Sequence, residues 1–460
     1  MTCPRCGAPA PAGAKFCNQC AAPLTTGPSV PSTAPTTTSP APAGTPPALP
    51  PTAAGAPLPP AQTVSPSGTA LVLHHHGAAQ RSLYYLALAM LGIVMLFLSA
   101  IVLGILREQA RTLPGFVISL VMAVLPVPIY ATLIVVLDRH QREPRWLLFG
   151  AFFWGAVVAV LLAIEANTRI DRLFVAVLGR QWAQLLTPSL VAPFVEETSK
   201  GLALLLIFRF MRFDFNDVVD GIVYGALVGL GFAMTENVLY FSRAYHSGGL
   251  QDASVNFYFR AILGGFGHSL YTACTGAGLG LAEETDNPAV RWIAPVAGYF
   301  AAIFLHFLWN TVINVPIPPV NDVVEFLIVG PFMTVILTFP GIFTLLLIMA
   351  FAWRRETRVI TEQLNDEVQR GVITPGEYAL LCDDRRRATQ VWRTLFHYGP
   401  LAWFMVRQFY NLEMGLAFRK WHTARGERLP ARAEGQSEDA YREHIAALRA
   451  RLNSMMVPVA

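Results

Sequence analysis

Three stretches of this chain set ionisable or amide side chains at helical intervals inside apolar runs, and a fourth adds a histidine. "VEETSK" carries Glu196, Glu197 and Lys200. On a helix Glu196 and Lys200 stand i, i+4 and Glu197 and Lys200 stand i, i+3, so one ammonium can hold either carboxylate. "FAMTEN" contributes Phe232, Glu236 and Asn237, "GFGHS" contributes His268, and "HFLWN" puts His306 and Asn310 on one helix face. Carboxylates, imidazoles and an amide in a semi-buried pocket suit hydrolysis. A buried carboxylate takes a proton from water, and a His or Asn donor stabilises the developing oxyanion. The same groups also suit a metal that activates water, because Glu and neutral His are ordinary Zn²⁺ ligands.

Each ionisable group costs roughly 2.5–3.5 kcal/mol near the centre of a membrane helix, so the set opposes insertion by about 10 kcal/mol or more. Such groups are tolerated when they face one another or a water-filled cavity. Their depths agree with that arrangement. At about 1.5 Å per residue, Glu196 lies about 12 Å from the outer boundary, His268 about 15 Å, Glu236 about 9 Å and His306 about 14 Å. Four consecutive helices presenting polar groups at one level point to one site.

The elements that must hold this site are spanning helices. The chain has 460 residues, 53% hydrophobic and 14% charged, against about a quarter charged in soluble domains. The fold class is therefore an all-α polytopic membrane protein. Eight hydrophobic segments fall near 83–106, 114–137, 146–165, 188–210, 217–242, 258–282, 292–315 and 324–352, each near the length of about 20 residues that crosses hydrocarbon. Residues 166–186 read as an amphipathic segment along the outer surface. "DRHQREPR", "RFMRFDFND" and "EETDNPAVR" fill the even-numbered loops and "RRETR" follows the last helix. This pattern predicts that both termini face the cytosol. The first apolar run begins about eighty residues in, so no cleavable signal peptide is expected. A formal charge of +4 is too small to argue for a nucleic-acid partner.

The chain divides into four predicted regions. Residues 1–22 hold Cys3, Cys6, Cys17 and Cys20 as paired CxxC knuckles, a zinc ribbon in which four thiolates bind a structural Zn²⁺. The metal would supply most of the folding energy of so short a unit, and the thiolates suit a reducing compartment. Residues 23–80, rich in Pro, Ala and Thr, read as a disordered tether; its His74, His75 and His76 read as solvated. Residues 81–352 form the spanning domain, and residues 353–460 a cytosolic helical tail. In the tail "EQLNDEVQRGVITPGEYALL" is a helix, a turn and a helix, and "HYGPLAWFMVRQFYNLEMGLAFRKWH" suits packing against another helix or the membrane. Cys274 and Cys382 are isolated in sequence. The layout suggests a cytosolic protein partner for the ribbon or the tail.

In order along the chain, E-E-x-x-K (Glu196, Glu197, Lys200), F-x-x-x-E (Phe232, Glu236), His268, and H-x-x-x-N (His306, Asn310) resemble the motif series of the PrsW family. These are bacterial intramembrane proteases that clip membrane-anchored anti-sigma factors and their relatives. The family is more distantly similar to the CAAX-processing proteases and the gamma-secretase scaffold subunit. The resemblance covers about residues 80–352. It implies a bacterial plasma-membrane endopeptidase acting on a membrane-anchored protein within the lipid bilayer. It also implies that Glu196 is the water-activating base and Glu197 its neighbour bound to Lys200. His268 would assist, and His306 with Asn310 would form the oxyanion hole. CAAX-type members carry His where this chain has Glu236, so their mechanism does not carry over directly. The reading favours a glutamate-activated water, with a catalytic metal open, and the choice between Glu196 and Glu197 also stays open. A non-catalytic scaffold or an ion or proton transporter would use the same polar cluster. A transporter often shows internal repeats, and the two halves show no convincing duplication.

Overall fold

The computed structural model describes residues 78–138, 143–212, 214–314, 324–426 and 437–459. The four ribbon cysteines and residues 23–77 of the predicted tether lie outside them; residues 78–80, placed at the tether's end from sequence, already belong to the first helix. Within the described residues the chain is helical. A long α1 (Ala78–Gln109) leads to α2 (Leu113–Val124) and α3 (Val127–Leu137). Thr112 caps α2 by accepting from the Gly115 amide at 3.2 Å, which satisfies one of the orphan donors at a helix start. Pro126 and Pro128 sit where α2 gives way to α3, since proline lacks the amide a continuing helix needs.

Helix α4 (Arg145–Phe153) widens through a π-type turn at Trp154–Ala159 into α5 (Val160–Leu178). The predicted surface segment 166–186 is thus divided. Its first part continues the preceding span, and the break comes at Gly179, whose φ of +84° favours glycine. After it come α6 (Arg180–Leu186), a second wide turn at Thr187–Val191, and α7 (Ala192–Phe210).

Helix α8 (Val218–Phe257) starts at a reciprocal cap between Asp217 and Asp220 and changes direction at Gly248 and Gly249. A wide turn at Tyr258–Leu263 leads to α9 (Gly267–Glu284), followed by α10 (Pro288–Asn314). Six helical runs among the described residues are long and apolar enough to cross a membrane. The predicted segments 217–242 and 258–282 both fall within one of these, Val218–Glu284. The predicted segment 188–210 corresponds to α7, whose Glu196, Glu197, Lys200 and Arg209 set it apart from the six by composition.

The α8–α9 run is the hub. Of its most apolar stretch 94% is buried, against 11–17% for the runs of α1, α2–α3, α10 and the last span. Its small residues allow this. A Cβ on Gly276 would lie 1.8 Å from the Gly221 carbonyl oxygen, and one on Gly229 would lie 2.2 Å from that of His268. The two backbones therefore touch directly along α8 and α9, as small residues permit in membrane helices. That contact fixes His268 against α8.

The last span, α11 (Gly330–Gln369), continues without a break past residue 352. Three tail helices pack on its far end: α12 (Pro375–Leu381), α13 (Asp384–Ala424) and α14 (Glu438–Ser454). Their shared core includes Ile360, Leu364, Leu381, Val406, Phe409, Leu416 and Ile445. Buried Glu377 is held by Arg449 at 2.7 Å. The tail is tied to the ends of the spans, with Arg425 donating to Asp286 at 3.0 Å and the Arg355 guanidinium 5.1 Å from the Trp421 ring.

Candidate active site

Four helices bring the predicted polar residues together: α7 supplies Glu196, Glu197 and Lys200, α8 supplies Phe232 and Glu236, α9 supplies His268, and α10 supplies His306. Lys200 is fully buried. Its Nζ donates to Glu197 Oε1 at 2.7 Å and meets His268 Nδ1 at 2.9 Å, while Glu196 Oε2 stands further off at 3.7 Å. The Phe232 ring lies under the ammonium at 4.0 Å, a favourable place for a desolvated cation.

Glu197 is the most fully engaged carboxylate of the α7 pair. Its Oε1 also meets His306 Nδ1 at 2.9 Å, and its Oε2 accepts from Thr272 Oγ1 at 3.0 Å. Glu196 differs. Its Oε2 is buried and accepts no hydrogen bond, with His306 Nε2 3.8 Å away.

Hydrogen-bond chemistry assigns the tautomers. An ammonium only donates, so His268 Nδ1 accepts from Lys200 and Nε2–H donates to Glu236 Oε2 at 2.9 Å. A carboxylate only accepts, so His306 Nδ1–H donates to Glu197 and its Nε2 carries the lone pair. Each imidazole is thus oriented by a carboxylate. Glu236 is itself fixed, because Arg260 donates to the same Oε2 at 2.6 Å and to Asn237 Oδ1 at 2.9 Å.

Arg260, Thr272 and Tyr271 were not singled out from sequence. Tyr271 stacks on His306 with ring centroids 4.9 Å apart. Arg260 lies within the predicted span 258–282, and a guanidinium inside a span is the signal that marks it. Asn310 is placed differently from its neighbours. Its Nδ2 donates to the Pro188 carbonyl at 2.9 Å, in the wide turn that precedes α7.

Glu196, His268 and His306 each offer one ligand atom, all within 4.8 Å of one another. An orphaned buried carboxylate oxygen facing an imidazole lone pair fits a divalent metal, and the Glu197–His306 pair is the outer-shell partner such a ligand uses. Lys200 competes for the third position, since its ammonium already takes His268 Nδ1.

Proteins named "Protease PrsW" are similar to this chain. The one from Bacillus subtilis is 30% identical over 163 residues, 34% of this chain and 65% of that protein. Those from Halalkalibacterium halodurans and Clostridioides difficile are 30% identical over 129 residues and 32% identical over 120 residues, covering 28% and 26% of this chain and 55% and 48% of those proteins. The matched stretch therefore spans about half to two thirds of the length of these three relatives. No solved structure matches. Residues 2–24 match a zinc-ribbon domain. The stretch that carries Glu196 through Asn310 falls within residues 143–338, which match the PrsW family, described as intramembrane metalloproteases.

Proposed function

We propose that this chain is an intramembrane endopeptidase that hydrolyses a peptide bond of a membrane-anchored protein, with Glu196 as the residue that handles the attacking water. The observation that carries this is the pair Glu196 Oε2 and His306 Nε2. Glu196 Oε2, which accepts no hydrogen bond, faces the Nε2 lone pair of His306 at 3.8 Å, an arrangement that suits a water donating to both. In this reading Glu196 takes the water's proton as hydroxide attacks the carbonyl carbon, and returns it to the leaving amine. Lys200 supplies positive charge beside the developing oxyanion. Glu197 and Glu236 hold His306 and His268, and Arg260 holds Glu236. Asn310, tied to Pro188, acts as a positioning residue for the turn before α7 rather than as an oxyanion donor.

A metal-assisted version of the same reaction is supported by the donor set Glu196, His268 and His306 and by the metalloprotease description of the matching family. A bound divalent metal would lower the pKa of its water and polarise the carbonyl. Cys3, Cys6, Cys17 and Cys20 would hold a separate, structural Zn²⁺. The substrate reading, by similarity, is an anti-sigma-factor-like protein, with the ribbon and the tail, both facing the cytosol, recruiting it or a partner.

The test is reconstitution in proteoliposomes with a panel of single-span reporters, comparing wild type with Glu196→Gln, His268→Ala and His306→Ala. A discrete product formed by wild type alone is expected. Ion flux without product, or a stable stoichiometric complex without product, contradicts the protease reading. Metal content measured after removal of residues 1–20 separates the two versions, since bound metal lost on Glu196→Gln marks the metal-assisted one.

A further inference from the structure

The tail carries an apolar surface that its own packing does not use. Helix α13 bends at Gly399, whose φ is +82°, immediately before Pro400. In a straight helix Trp392 and Trp403 would stand about 16 Å apart along the axis. The bend brings their ring centroids to 6.4 Å, and Phe396 stacks on Trp392 at the same separation. Ala402, Met405, Val406 and Phe409 on the second limb turn into the tail core. The large apolar side chains around the bend do not: Phe396 is 80% exposed, Leu401 60% and Trp392 55%. Contiguous exposed apolar surface of this kind marks an interaction site.

The position of the patch says what covers it. Arg407, two turns beyond the bend and stacked on Trp403 at 5.3 Å, lies within electrostatic reach of Asp138. Asp138 is the residue at which α3 ends. Trp353, on α11, donates to the Leu137 carbonyl at 3.1 Å, so α11 crosses the same rim at that level. These contacts set the second limb of α13 beside the rim where α3 ends and α11 leaves the spans, the level at which a bilayer changes from acyl chains to headgroups. Trp and Tyr concentrate at that level. Arg385, Arg386 and Arg393 on the first limb are exposed, and their stems can cross apolar surface while the guanidinium groups reach phosphates.

We propose that the bent limb of α13 is an interfacial anchor, inserted into the lipid headgroup region of the leaflet on the tail side through Trp392, Phe396 and Leu401. It would fix the tail against the membrane beside the spans rather than leave it free in water. The occupant is lipid rather than protein because the patch belongs to a helix that passes beside the rim where the spans end and is flanked by exposed arginines suited to lipid phosphates.

The full-length protein, carrying a photo-crosslinking phenylalanine analogue at Phe396, would be placed in nanodiscs of mixed phosphatidylcholine and phosphatidylglycerol. The same analogue at Arg451, exposed on α14, is the control. Phe396 is exposed, so the replacement leaves the tail core intact. Lipid adducts at 396 several-fold above those at 451 are expected. Equal lipid labelling at the two positions overturns the proposal. So does crosslinking of 396 to a protein in place of lipid when the experiment is repeated in native membranes.

Discussion

His306 turns Nδ1 to Glu197 Oε1 at 2.9 Å, and this leaves its Nε2 facing the unbonded Oε2 of Glu196 at 3.8 Å. Two carboxylates adjacent in sequence thus do different work. Successive helical residues are turned by about 100°, so Glu197 is directed among Lys200, Thr272 and His306 while Glu196 faces the space between the imidazoles. The same relationship generates the first prediction. Glu197→Gln leaves the fully buried Lys200 without its nearest counter-ion, and breaking such a buried pair costs about 3–5 kcal/mol. Glu196→Gln removes a group that accepts no hydrogen bond at Oε2. Thermal unfolding in detergent should show a large drop for Glu197→Gln and little change for Glu196→Gln. Equal drops for the two would remove the distinction.

Arg260 acts through Glu236 and His268. Its guanidinium and His268 Nε2–H converge on one oxygen, Glu236 Oε2. Arg260→Gln is predicted to lower turnover about 10- to 100-fold, the usual loss when an orienting partner is removed. Arg260→Lys should recover part of it by restoring the charge. A KM that rises while kcat holds would assign Arg260 to substrate binding instead.

Close helix approach is testable at Gly276. A methyl group there would lie 1.8 Å from the Gly221 carbonyl oxygen, backbone against backbone, so the helices must separate. Gly276→Ala should destabilise by about 1–3 kcal/mol or more. Gly229→Ala, whose Cβ would meet the His268 carbonyl at 2.2 Å, should also depress activity by moving His268. Gly150, with nothing within 4 Å, is the control and should tolerate alanine.

The tail offers a pH test outside the spans. Burial pushes the Glu413 carboxyl well above its ordinary range; Glu377 nearby adds to the rise and Arg449 only partly opposes it. A raised folded-state pKa means that the folded form holds its proton more tightly than the unfolded chain. The corresponding stability is fully present below the unfolded value, and it is lost as pH rises through the folded one. Hydrogen exchange around Phe409–Phe418 should therefore become faster as pH rises, after correction for intrinsic rates. Glu413→Gln should flatten that dependence. A wild-type profile already flat would contradict the assignment.

The clustered polar residues were legible in sequence because charge inside an apolar run is costly wherever it occurs, and Glu196, Glu236, His268 and His306 stand out on that ground alone. Helical spacing also named Lys200 as a partner, but could not choose between i, i+3 and i, i+4. The choice came from Thr272 and His306, contributed by helices 75 and 109 residues away. Asn310 shared a face with His306 in sequence, yet its partner is Pro188, 122 residues distant. Arg260 was passed over because it stands at the very start of the predicted span 258–282, where an arginine reads as an ordinary boundary charge. The bend in α13 was also hidden, since a Gly-Pro pair marks a break but not the approach of Trp392 to Trp403.

The most direct test of the central claim compares single-turnover cleavage of a single-span reporter by wild type and Glu196→Gln in proteoliposomes, with folded protein matched by thermal unfolding. Loss of the proton acceptor or metal ligand predicts a fall of at least about 100-fold, with the fold retained. Cleavage by folded Glu196→Gln at the wild-type rate would contradict the account.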